Sequence, residues 1–118
     1  MTTGEEQSID AAVDQLVALF KLLSDSTRVR ILLLLAGGEH NVTALCNELK
    51  LPQPTVSHHL SLMRQSGVIM NRRNGKQVFY QLDGRVEKHT IGTLGIRAGT
   101  YSLQIKHPNH VALDADAN

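Results

Sequence analysis

The stretch "QPTVSHHLSLMR", residues 53–64, carries most of the side chains in this sequence that could do recognition chemistry. Gln53, Thr55, Ser57, His58, His59, Ser61 and Arg64 lie within it. Short hydroxyls and an amide can approach base edges and phosphates closely, which longer intervening side chains would prevent. A neutral imidazole can donate to a phosphate oxygen, and a protonated one does so more strongly. Arg64, further along, suits the sugar-phosphate backbone. Shortly after, "RRNGKQ" sets Arg72, Arg73 and Lys76 around a turn, where cations suit a minor groove or flanking phosphates. Each feature also has a plainer account. A charged turn can simply be solvated, Thr55 and Ser57 can be helix-start residues, and His59 sits at the edge of an apolar stripe. Such a helix followed at once by such a turn favours a DNA-facing surface over those separate accounts.

The polar flank must be held from behind. Val56, Leu60 and Met63 recur at helical spacing with Leu62 beside them. Pro54 is tolerable in the first turn and Gly67 supplies the stop, so the spacing predicts a helix over about 53–66. "VIMNRR" and "QVFYQL" then alternate around Asn74-Gly75, the strongest short hairpin signal, which predicts a wing over about 68–82. Upstream, Ile9, Val13, Leu16, Val17, Phe20 and Leu23 form one wide helical stripe starting near Ser8. Asp25 or Ser26 can cap a second helix that runs to Gly37-Gly38 and is apolar nearly all round after Arg30, as a central buried helix would be. Asn41 can cap a third, with Val42, Leu45, Cys46 and Leu49 on one face. The fold class expected is mainly α with a small β-hairpin (α+β), a winged helix-turn-helix.

The chain divides accordingly. Residues 1–7 read as a disordered polar terminus, 8–83 as the winged domain, 84–107 as a C-terminal segment and 108–118 as a flexible tail. "RVEKHTIG" could open a helix, but Gly92, Gly95 and Gly99 each disfavour one by about 1 kcal/mol relative to Ala. "TYSLQIKH" alternates like a strand, so this segment is expected to hold a short helix or turn and one or two strands.

At 118 residues the chain can bury one modest core, and with aromatics at only 3% that core must be aliphatic. The net charge of +1 hides an uneven distribution. Nine Lys and Arg against four acids between Ser26 and Lys88 leave that segment with a surplus of five positive charges. Acids gather instead near the ends. The single cysteine, Cys46, excludes an intrachain disulfide framework. "ILLLLA" is too short to span a bilayer and no signal-type apolar segment opens the chain, so a soluble cytoplasmic protein is expected. An enzyme is not expected: no Gly-rich phosphate loop, nucleophile motif or His-Glu-x-x-His helix is present. His58 and His59 point about 100° apart on a helix and cannot act at one centre.

"SDSTRVRILLLL", "QPTVSHHLSLMRQSGVI" and "RRNGKQVFYQL" together resemble the ArsR family of bacterial winged-helix repressors, over about residues 19–83. The resemblance implies a homodimer on a palindromic operator, with double-stranded DNA as the partner. Ile9, Val13, Leu16 and Phe20 are the residues expected at the dimer interface, since the first helix has a stripe wide enough for both a core and a twin. Family members that sense soft metals carry a Cys-x-Cys pair, which falls here on Asn41 and Thr43. Cys46 alone cannot build such a site, and a buried free thiol is its ordinary reading. Other members hold zinc between their last helices. Glu87 and His89 match half of that set, but the later positions, near Thr100 and Leu103, do not. His107 and His110 form a pair that contains a proline and lies too far along. No resident cofactor is therefore expected and the usual metal-ligand sets are absent or incomplete, although six histidines leave room for a metal effector. The competing function is a winged-helix protein-interaction module that does not bind DNA.

Overall fold

The computed structural model describes residues 2–90 and 93–107. Helix α1 spans Thr2–Leu22, α2 Ser26–Ala36, α3 Val42–Leu49 and α4 Gln53–Gln65. Six strands accompany them: β1 His40–Asn41, β2 Ile69–Asn74, β3 Gln77–Leu82, β4 Val86–Thr90, β5 Thr93–Ala98 and β6 Tyr101–Lys106. They form two antiparallel three-stranded sheets, β1-β3-β2 and β4-β5-β6.

Local chemistry sets the helix ends. The Asp25 carboxylate accepts from the backbone N–H groups of Thr27 at 2.8 Å and Arg28 at 3.1 Å, two donors that the first turn of α2 leaves without partners. Those bonds, led by the one from Arg28, hold the Asp25 carboxyl below its ordinary pKa. A folded-state pKa lowered this way contributes stability above the ordinary value of 3.8 and loses it as pH falls through the lowered value. The gap in unfolding free energy between wild type and Asp25→Ala should thus be full at neutral pH and narrow below pH 3.8, as denaturant titrations at several pH values would read. Asn41 Oδ1 caps α3 by accepting from Ala44 N at 2.7 Å, and Lys50, in the left-handed region at φ 55°, ends it. Gly67, at φ 78°, closes α4.

One core serves all these elements. α1 contributes Leu19 and Leu22, α2 contributes Ile31, Leu32 and Leu35, and α3 contributes Leu45. Val56, Leu60 and Met63 enter from α4, with Val68 just before β2 and Ile69 at its start. Val86, Leu94, Ile96 and Ala98 extend the same core into the second sheet. Among the aliphatic residues of α2, Leu33 stands apart: it is 48% exposed, so the helix is buried on three sides rather than all round.

Three features depart from the expectations. α1 begins at Thr2, so residues 2–7 extend that helix where a disordered start was expected. The segment after Asp83 contains no helix among the described residues. It is a three-stranded meander, in which Gly95 sits mid-strand between Glu87 and Gln104. The hairpin register pairs Asn74 with Gln77, so the two-residue loop is Gly75-Lys76, one position later than the Asn-Gly signal. Gly75 takes φ 65° as the first central residue, the arrangement of a II′ turn. The tail 108–118 lies outside the described residues, and His110 with it.

Candidate nucleic-acid interface

α4 is sharply two-sided. Val56, Leu60 and Met63 are 0%, 1% and 0% exposed, and they anchor the helix in the core. On the opposite flank Gln53, Thr55, His58, Ser61 and Arg64 are exposed, with Ser57 half-buried at the border. The helix has no side-chain cap at Pro52. Pro54 carries no N–H and Thr55 N–H donates to Pro52 O at 3.1 Å, so in the first turn of α4 the Gln53 N–H is the group left to an external acceptor. The flank thus combines short donors and acceptors, a positive helix end and one cation in the last turn.

His59 occupies a different position. It is half-buried, and its Nδ1 lies 3.3 Å from Nη1 of Arg28. A guanidinium can only donate, so Nδ1 is the acceptor and the ring proton sits on Nε2. Arg28 also donates to the carbonyl of Leu22 at 2.6 Å, which ties α4 to the α1–α2 corner. The rings of His58 and His59 are tilted by 59° with centroids 6.0 Å apart, so they face different surroundings.

The surplus of cations in the middle of the chain divides into two groups. Arg28, Arg72, Arg85 and Lys88 are engaged by the protein itself. Arg85 donates to the carbonyls of Ser66 and Arg97, and Lys88 Nζ donates to Ala36 O at 2.9 Å, at the negative end of α2. Arg72 makes two bonds to the Glu39 carboxylate, at 2.6 and 2.8 Å. By contrast the side chains of Arg30, Lys50, Arg64, Arg73 and Lys76 make no hydrogen bond or ion pair among the described residues. Arg64, Arg73 and Lys76 therefore remain as uncommitted cations on the helix and wing. Strand alternation also sends Arg72 and Arg73 to opposite faces of the first sheet. The sequence treats the three wing cations as one cluster; the fold separates them.

On α1, Ile9, Val13, Val17 and Phe20 are 53%, 42%, 43% and 50% exposed and lie on one arc of the helix. Leu16, named with them from the sequence, is half-buried and packs against the core, and Val17 takes the outward place. The arc is continuous with the buried one formed by Ala12 and Leu19.

Among the described residues no group of three or more His, Cys, Asp or Glu side chains could hold a metal ion. Cys46 is a half-buried free thiol. No helix among them is long and apolar enough to cross a membrane.

The family model described as "Bacterial regulatory protein, arsR family" matches residues 25–70, from the cap of α2 into β2. The arsenical resistance operon repressor of Escherichia coli is 45% identical over 71 residues, 59% of this chain and 61% of that protein. The transcriptional repressor SdpR of Bacillus subtilis is 36% identical over 73 residues, which cover 62% of this chain and 81% of SdpR. The chain belongs to the arsR family of bacterial regulatory proteins. Its fold agrees with that family: a homodimeric winged helix-turn-helix DNA-binding domain from Mycobacterium bovis is 32% identical, with a TM-score of 0.60 over 64% of this chain and 69% of the other. The arsR-family match ends at residue 70, so the wing tip and the second sheet lie beyond it. The chain spans just under two thirds of the length of the Escherichia coli repressor.

Proposed function

We propose that this protein is a sequence-specific DNA-binding transcriptional regulator, a cytoplasmic repressor that binds a palindromic operator as a homodimer. The two-sidedness of α4 carries the reading: an apolar flank with no more than 1% exposure holds the helix, and a polar flank of small side chains is left outward. Such a helix suits a major groove. Gln53, Thr55, Ser57, His58 and Ser61 address base edges and nearby phosphates, and Arg64 addresses the backbone. The Nε2–H of His59 is available as a donor from the border of the same flank. Arg73 and Lys76 reach the minor groove or the flanking strands from the wing. The names of the Escherichia coli and Bacillus subtilis relatives, both repressors, support the direction of regulation.

One such helix reads only a few base pairs, so specificity needs two half-sites about one helical turn apart. The outward arc of α1 is the surface best suited to bring two copies together, and the dimeric Mycobacterium bovis domain supports that state. The protein works without a resident cofactor on this reading.

Binding to random duplex DNA across a salt series tests the class. Three uncommitted cations per protomer predict a log–log slope of about −5 for the dimer. A protein-binding wing would show little affinity and almost no slope, which would overturn the reading. On an operator recovered from genomic fragments, Ser57→Ala with His58→Ala should weaken binding by about tenfold to a hundredfold and leave the random-duplex slope unchanged. Unaltered operator affinity would remove α4 from the groove.

A further inference from the structure

The pairing of Arg72 with Glu39 crosses the whole first sheet. Arg72 is on β2, one edge, and Glu39 immediately precedes β1, the other edge. Between them lies Phe79 on β3, in register with Arg72 on one side and with Asn41 on the other. The Arg72 guanidinium carbon sits 5.1 Å from the centre of the Phe79 ring, and the fork ends on both carboxylate oxygens of Glu39. The guanidinium suits this double task, a cation over the ring and a bidentate pair; a lysine could keep the first but not the second. The carboxylate responds, since the bond from Arg72 lowers the Glu39 pKa and the same bond raises that of Arg72.

β1 is only two residues long and leads directly into α3 through the Asn41 cap. Whatever fixes the wing against β1 therefore fixes it against the helix-turn-helix. We infer that Arg72, stacked on Phe79 and paired with Glu39, is a positioning residue that sets the wing's angle to α3 and α4, and that it does not hold a phosphate. This rests on the DNA-binding reading above only for its functional consequence. The wing's electrostatic grip then falls to Arg73 and Lys76.

Two measurements test it, one of them independent of DNA. In amide hydrogen exchange on the free protein, Arg72→Lys and Glu39→Gln should each raise exchange at Asn41 and Phe79 about threefold to tenfold, with the amides of α2 unchanged. On random duplex DNA, Arg72→Lys and Arg72→Ala should weaken binding alike and keep the wild-type salt slope, while Arg73→Ala should lower its magnitude by about one per protomer. The inference is overturned if Arg72→Lys binds and exchanges like wild type. It is equally overturned if Arg72→Ala flattens the slope as Arg73→Ala does, or if Glu39→Gln steepens it by releasing a cation to the DNA. If no form binds DNA, the proposed function fails, and the exchange data still decide whether the strut exists.

Discussion

A protein carrying glutamates at both Val13 and Phe20 (V13E, F20E) should fold normally, remain monomeric and lose operator binding. Both side chains are about half exposed in the single chain, so the substitutions place carboxylates in water and should leave monomer stability nearly unchanged. In a dimer built on the α1 arc the same carboxylates would be buried against their twins. An uncompensated charge in such a place costs about 3 kcal/mol, which alone is more than about a hundredfold in the association constant. The loss of operator affinity should be steeper than the loss of random-duplex affinity. Half-site recognition by a monomer gives up the second helix entirely, whereas non-specific phosphate contacts give up only their share. Sedimentation at micromolar concentration reads the first effect and titration of both DNAs reads the second. A doubly substituted protein that still sediments as a dimer would move the interface elsewhere.

That arc was largely readable without coordinates, and the reason is physical. A helix turns about 100° per residue, so the positions of apolar side chains determine its faces directly. The same holds for the core flank of α4, where Val56, Leu60 and Met63 left the polar flank outward by elimination. Caps were legible for a similar reason. Asp25 and Asn41 act on N–H groups two or three residues away, within the reach of sequence reasoning. What escaped was long-range. β1 has two residues, too few to show any alternation, and exists because His40 and Asn41 pair with Tyr80 and Phe79. Glu39 is separated from Arg72 by 33 positions, and nothing in the charged turn indicates that one of its cations is already spent. The division between Leu16 and Val17 on α1 depends on how the helix rolls against its neighbours, which periodicity alone leaves open within a residue.

In the second sheet, alternation marks Tyr101–Lys106 as a strand, and β4 and β5 are what escaped, for a different reason. Glycines at 95 and 99 argue against a helix, yet Gly95, inside β5, also breaks the alternation by which a strand is recognised. Gly99 is where a specific demand becomes visible. It lies in the turn between β5 and β6 at φ 63°, and a Cβ built there would come within 2.9 Å of both Cα and Cβ of Ala12 on α1. Ala12 is itself only 2% exposed, so the turn of the meander is seated on the helix that carries the outward arc.

Gly75 provides the matching control. Its φ is 65°, almost the same, but a Cβ there would meet nothing within 4 Å. Gly75→Ala should therefore cost only the conformational penalty of a left-handed residue, about 1 kcal/mol. Gly99→Ala must meet the same penalty and also push a helix backbone aside, for a total of about 2 to 4 kcal/mol. Urea unfolding of the two variants side by side isolates the contact, because the shared backbone term cancels in their difference. If relief comes from α1 shifting on the sheet rather than from the turn opening, Gly99→Ala should also weaken self-association, while Gly75→Ala leaves it intact. Equal destabilisation by the two substitutions would mean that the meander is not seated on α1. The outward arc would then have to be held in place by the core contacts of Leu16, Leu19 and Leu22.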